Sequence, residues 1–138
     1  LAGSEILLCG FGRIGKLLSR RLAALGAHVT VAARSAQARA LARILGYPSE
    51  PAVRLPGLSR FDAVVNTVPA HISPDVAEAR PSCVLLELAS SPGGFGDAAK
   101  AHPGYILARG LPGVYAPAAA AACIHDAILQ ELSLEERL

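Results

Sequence analysis

Three glycines, Gly10, Gly12 and Gly15, carry the clearest chemistry in the chain. They stand in the run Gly10-Phe11-Gly12-Arg13-Ile14-Gly15, the spacing G-x-G-x-x-G of a dinucleotide-binding turn. Each has a separate task. Gly10 permits a tight turn off a strand, Gly12 lets a pyrophosphate approach the backbone, and Gly15 lets the following helix pack close to the strand. The first N–H groups of that helix, with the positive end of its dipole behind them, then face the phosphates. Phe11, Arg13 and Ile14 lie inside the turn and are expected to share the contact.

A second feature sits about twenty residues on, where such folds place an Asp or Glu on the adenosine ribose. Here the residues are Ala32-Ala33-Arg34-Ser35, with no acid. An acid would repel a 2′-phosphate, whereas a guanidinium and a hydroxyl would hold one through charge-assisted hydrogen bonds. Arg39, one helical turn beyond Ser35, is placed to reach the same group. The expected cofactor is therefore NADP, with Arg34, Ser35 and Arg39 among its contacts.

These residues need a scaffold, and the hydrophobic pattern supplies it. Ile6, Leu7 and Leu8 form the short apolar run of a buried parallel strand. After the turn, Ile14, Leu17, Leu18, Leu22 and Leu25 recur at helical spacing, and Gly26 offers a C-terminal cap. A second strand is expected over residues 28–33, then a helix capped by Ser35, running to Leu45 and burying Leu41, Ile44 and Leu45. A proline-rich stretch follows, with a poor, edge-type third strand expected over residues 52–55. Further strands are expected over residues 63–68, 84–88 and 105–107. Helices are expected from Ser73-Pro74-Asp75, over residues 97–101, and from Pro117 to Leu132, the last with Ile124, Ile128 and Leu132 on one face. Strands alternating with helices predict a Rossmann-like α/β fold, a doubly wound parallel sheet in three layers.

Ligands of such sheets bind at the carboxyl ends of the strands. Three loops expected there combine small and stiff residues: Asn66-Thr67-Val68-Pro69-Ala70, Ala89-Ser90-Ser91-Pro92-Gly93-Gly94 and Leu111-Pro112-Gly113. Such backbone suits the wall of a flat ring. Thr67, Val68, Pro69, Ala89 and Pro112 are the expected contacts from them.

At 138 residues the chain is expected to be a single dinucleotide-binding domain. Hydrophobic residues are 52% of it, but they come in short bursts, and no run is long enough to span a bilayer. That richness suits buried parallel strands and equally an interface, so self-association stays open. Aromatics are 4%, which argues against a base-stacking surface, and the net charge of +2 is scattered, which leaves no polyanion footprint. No nucleic acid and no membrane is expected as a partner. Cys9, Cys83 and Cys123 form no C-x-x-C, and Cys9 and Cys83 border apolar runs, so both read as reduced core thiols. That suits the cytoplasm. Methionine is absent, which suggests a piece of a longer, two-domain protein. No His/Cys/Asp cluster has metal-ligand spacing.

The loops carry a resemblance. Gly10-Phe11-Gly12-Arg13-Ile14-Gly15, Val29-Thr30-Val31-Ala32-Ala33-Arg34, Asn66-Thr67-Val68-Pro69-Ala70, Leu88-Ala89-Ser90-Ser91-Pro92-Gly93-Gly94 and Leu111-Pro112-Gly113-Val114-Tyr115-Ala116-Pro117 occur in this order. In this the chain resembles the C-terminal dinucleotide-binding domain of the dipicolinate synthase A-subunit family. It departs from the family at Glu87, where Asp is usual, and in the alanine run of residues 118–122, where the family tends to x-T-A-G. The resemblance implies an oxidoreductase that forms dipicolinate, the calcium-chelating diacid of bacterial spores, from a dihydro- or hydroxytetrahydro-dipicolinate. It implies an N-terminal domain that shares the substrate cleft and, as partner, a second, flavoprotein-like subunit. On its own, this chain would then bind cofactor without turning substrate over.

No residue stands out for proton transfer, so the catalytic residues are left unassigned. His71 follows the fourth-strand loop and either faces the cleft or lies on the surface. Glu87, inside an apolar strand, either ends the strand facing the cleft or is held by a partner. Two alternatives compete. The ligand-gating modules of potassium channels and transporters open with a similar strand and turn, but they usually keep an acid after strand two and lack the later loops. Another NADP dehydrogenase, related to glutamyl-tRNA reductase or shikimate dehydrogenase, has a similar build.

Overall fold

A computed structural model describes residues 1–53, 55, 57–72 and 78–135, with side chains followed to residue 129. The chain forms two compact units, Leu1–Leu107 and Ala108–Leu138.

The first unit contains β1 (Glu5–Cys9), α1 (Arg13–Ala24), β2 (His28–Ala33), α2 (Ala36–Ile44), β3 (Ser49–Pro51), a 3-10 turn (Leu58–Arg60), β4 (Ala63–Asn66), β5 (Val84–Glu87), α3 (Asp97–Lys100) and β6 (Tyr105–Leu107). The strands make one six-stranded sheet in the order β3-β2-β1-β4-β5-β6, and every pairing is parallel. β1 pairs with β2 on one side (Leu7 opposite Thr30) and β4 on the other (Leu7 opposite Val64). The chain therefore winds outward one way, returns to the middle and winds out the other way. This is the Rossmann-like arrangement, and its switch point lies between β1 and β4.

Period-two alternation explains why β1 reads as an unbroken apolar run. Leu7 and Cys9 join an apolar cluster with Phe61, Val64, Leu85 and Phe95, while Ile6 and Leu8 join one with Val29, Val31, Ala42 and Val65. Each face of the sheet has its own core, so residues 6–9 of the central strand are all buried.

α1 and α2 end in the same way. Gly26 and Gly46 adopt positive φ, and the next amide of each closes back on the helix, Ala27 N–H to the Leu22 carbonyl and Tyr47 N–H to the Ala42 carbonyl. Ser35 caps α2 through its hydroxyl, which accepts from the Ala38 N–H at 3.1 Å.

The helix faces differ from the expected ones. Ile14, Leu17 and Leu25 are exposed, and α1 instead buries Gly15 and Ser19, with Leu18 and Leu22 against the core. Gly15 must face the Gly10 turn, and that rotates the helix away from its bulkiest side chains. On α2 the buried residue is Ala42, flanked by Ala38 and Leu41, and Ile44 and Leu45 are exposed. The third strand is the edge strand expected, but it lies at Ser49–Pro51, before the expected residues 52–55. Its register, Val31 opposite Ser49, runs out at Pro51, and Val53 beyond it is exposed. The helix start at Ser73-Pro74-Asp75 lies outside the described residues.

The second unit holds α4 (Leu111–Tyr115) and α5 (Pro117–Glu135). Leu111-Pro112-Gly113, expected as a loop, is the first turn of α4. Gly110, at positive φ, caps it, and proline is tolerated so early in a helix because its missing N–H has no partner to lose. Ile124 and Ile128 of α5 are exposed. No helix among the described residues is long and apolar enough to cross a membrane.

Candidate dinucleotide site

A cavity of about 470 Å³ opens at the carboxyl ends of β1, β2 and β4, within the size range of small-molecule sites. Its floor is Cys9, Gly10, Phe11 and Gly12, and Arg13 and Ile14 continue it onto α1. One wall is the end of β2, with Ala33, Arg34 and Ser35, and the facing wall is the β4 loop, with Thr67, Val68, Pro69 and His71.

The three glycines do different things. A Cβ on Gly10 would meet Thr67 Oγ1 at 2.5 Å and Val68 Cγ2 at 2.6 Å, so Gly10 lets the β4 loop close over the turn. A Cβ on Gly15 would collide with the Gly10 carbonyl oxygen, so Gly15 sets the approach of helix to strand. A Cβ on Gly12 would have nothing within 4 Å, and Gly12 itself lines the cavity. Gly12 also caps α1 with no side-chain hydrogen bond, which leaves the first-turn N–H groups to a ligand. These residues fit a dinucleotide pyrophosphate.

At the β2 wall, Arg34 and Ser35 are exposed at the rim. Arg39 does not line the cavity. Its Nη1 donates to the Ala33 carbonyl at 2.9 Å and the Arg34 carbonyl at 2.6 Å, so it braces the bend that presents Arg34. Glu50, one strand over and opposite Ala32, lines a separate hollow with Tyr47 and Arg60. The β2 end is therefore free of carboxylate on the cavity side among the described residues.

At the facing wall, Thr67 Oγ1 donates to the Cys9 carbonyl at 2.9 Å, which ties the loop to the end of β1. His71 lines the cavity and is exposed. Ala89 does not line the cavity; it is buried, its N–H donating to Glu87 Oε1 at 3.0 Å, and Pro112 belongs to the second unit. Glu87 itself is buried and held by partners, Asn66 among them at 2.7 Å. The sequence signalled this cluster only by placing an acid inside an apolar strand. Cys9 is buried within the floor, where desolvation, and then the Glu87 carboxylate, push its thiol up to about 12 and so favour the protonated form.

No protein-family model matches the chain. The A subunit of dipicolinate synthase from Bacillus subtilis is 35% identical over 97% of the chain and 48% of its own length. The chain is homologous to the dipicolinate synthase A subunit. It spans about half the length of that curated relative. The crystal structure of the dipicolinate synthase A subunit from Bacillus halodurans, 32% identical, superposes with a TM-score of 0.84 over 95% of this chain and 47% of its own. An acetophenone reductase from Geotrichum candidum, in complex with NAD, matches at 22% identity with a TM-score of 0.56 over 78% of this chain and 30% of its own, a likeness of fold. The chain is thus a Rossmann-like domain related to the dipicolinate synthase A subunit.

Proposed function

We propose that residues 1–138 act as the NADP-binding half of an oxidoreductase of the dipicolinate synthase type. The observation that carries this reading is Gly12, open towards a cavity whose β2 wall offers Arg34 and Ser35 and no acid. Phosphate oxygens would meet the N–H groups of the first turn of α1 at Gly12, and the 2′-phosphate would meet Arg34 and the Ser35 hydroxyl.

Bound NADP+ would accept the hydride in a two-electron oxidation of a dihydro-dipicolinate, which loses a hydride and a proton to become the aromatic diacid. The chain's share is to orient that cofactor across the switch point and present its ring along the β4 loop. The other half of the protein supplies the opposite side of the cleft, and a flavoprotein-like subunit is the second partner.

The test compares this chain with the same protein extended by the half its relatives carry. The extended protein, given NADP+ and the dihydro-dipicolinate precursor, forms dipicolinate with matching nicotinamide reduction. The 138-residue chain binds NADP+ and forms none. Turnover by the short chain contradicts the shared cleft, and binding without turnover by the extended protein favours a ligand-sensing module instead.

A further inference from the structure

Glu87 is 1% exposed and no lysine or arginine pairs with it among the described residues, yet its carboxylate is fully engaged. Oε1 accepts from Asn66 Nδ2 at 2.7 Å and from the Ala89 N–H at 3.0 Å. Oε2 accepts from the Gly94 N–H at 2.8 Å and the Phe95 N–H at 3.1 Å. A buried carboxylate without such donors is very costly, so this one is kept for what it connects.

It connects both ends of the β4 loop. Asn66 and Glu87 stand opposite each other in the β4–β5 register, so their side chains meet on one face. The Asn66 amide passes the link forward: Nδ2 also donates to the Val68 carbonyl at 2.9 Å, and Oδ1 accepts from the Val68 N–H at 3.0 Å. That fixes the start of the loop. On the other oxygen, Gly94 accepts at its carbonyl from the Ile72 N–H at 2.8 Å, and Ile72 bridges to Phe95. That fixes its end. Gly94 packs so close that a Cβ there would strike the Asn66 amide and come within 3.0 Å of the Ala70 carbonyl oxygen.

The loop between these anchors, residues 67–72, is the cavity wall on the β4 side of the switch point. A dinucleotide crosses such a sheet at that point with its adenosine half over β2, which leaves the nicotinamide half against this wall. We propose that Glu87 is a positioning residue which, through Asn66 and Gly94, fixes the loop that receives the nicotinamide half of the dinucleotide. This rests on the dinucleotide reading above. Glu87 lines no part of the cavity and is shut away from solvent, so it moves no proton and acts only through the loop.

The consequence is selective. In that reading the pyrophosphate meets Gly12 and the adenosine half meets Arg34 and Ser35, none of which Glu87 contacts, and the nicotinamide half depends on the loop. The experiment titrates the 138-residue chain with NADP+ and with 2′-phospho-ADP-ribose, the same ligand without nicotinamide. Each is repeated on Glu87→Gln and Asn66→Ala, with circular dichroism to verify folding. Asn66→Ala keeps the three backbone donors on the carboxylate and removes the amide that joins Glu87 to Val68, so it decides the matter should Glu87→Gln fail to fold. The parent chain is expected to bind NADP+ at least about tenfold more tightly than the fragment. Folded variants are expected to lose most of that advantage, at least about fivefold, while their fragment affinity changes by less than about twofold. A merely structural role would lower both affinities together or leave both alone. A folded variant that keeps the parental ratio overturns the proposal and leaves the dinucleotide reading standing. A parent chain that binds neither ligand overturns the dinucleotide reading, and the proposal with it.

Discussion

Gly15 lies so close to Gly10 that a Cβ on it would collide with the Gly10 carbonyl oxygen. Gly15→Ala gains helix propensity of about 1 kcal/mol. It also forces one piece of backbone from another, and overpacking of this kind costs about 1–3 kcal/mol. Backbone yields less readily than a flexible side chain, so the second effect wins. The variant is expected to be less stable in urea unfolding and to bind dinucleotide more weakly, because the turn moves with the helix. Unchanged stability would show that α1 does not pack where the structure puts it.

Gly12 is the counterpart. Its Cβ direction is open, so Gly12→Val fits the fold, and the added side chain is expected to crowd the cavity that Gly12 lines. Stability is expected to fall by no more than about 1 kcal/mol, the scale of a poorer N-cap residue. Dinucleotide binding is expected to vanish. Calorimetry on the folded variant checks this, and parental affinity would sink the assignment of the turn.

The contrast between these glycines was readable in the motif, as were the strand that leads into them and the Ser35 cap, because each is set by residues near in sequence. The helix faces were not. Against a sheet, the closest line of a helix is set by its smallest residues, here Gly15, Ser19 and Ala42, and counting large apolar residues points elsewhere. The link from Glu87 to Asn66 crosses 21 residues and two strands, so no local pattern reveals it. Leu111-Pro112-Gly113 carries turn-forming residues, but Gly110 and an early proline start a helix with them.

The cysteines give a prediction from burial alone. Cys9 and Cys83 are buried and Cys123 is exposed. Desolvation raises both buried thiols, with Cys9 pushed up to about 12. At neutral pH a thiol alkylating reagent is expected to label Cys123 alone in the native chain and all three in denaturant, read by mass spectrometry. Rapid native labelling of Cys9 would contradict its burial at the cavity floor.

The same shift has a sign in stability. Unfolded, Cys9 loses its proton near 9.0, whereas folded it holds the proton to about 12. The folded state then binds more protons in that window. The stabilisation is complete below pH 9.0 and is lost as pH rises towards 12, by up to about 1.4 kcal/mol per pH unit. Denaturant unfolding across that range is expected to show the decline, and Cys9→Ala is expected to lessen it. An identical slope in the variant would place the alkaline loss elsewhere.

The central claim is a dinucleotide site that reads a 2′-phosphate at Arg34. Charged hydrogen bonds contribute about 1.5–3 kcal/mol each, and exposure at the rim pushes the gain towards the low end. The most direct measurement is a set of titrations, NADPH and NADH each against the parent chain and Arg34→Ala. NADPH is expected to bind the parent at least about tenfold more tightly than NADH. Arg34→Ala is expected to erase most of that difference by weakening NADPH while barely changing NADH. Equal affinities in the parent, or a folded variant that loses both cofactors alike, would contradict the account.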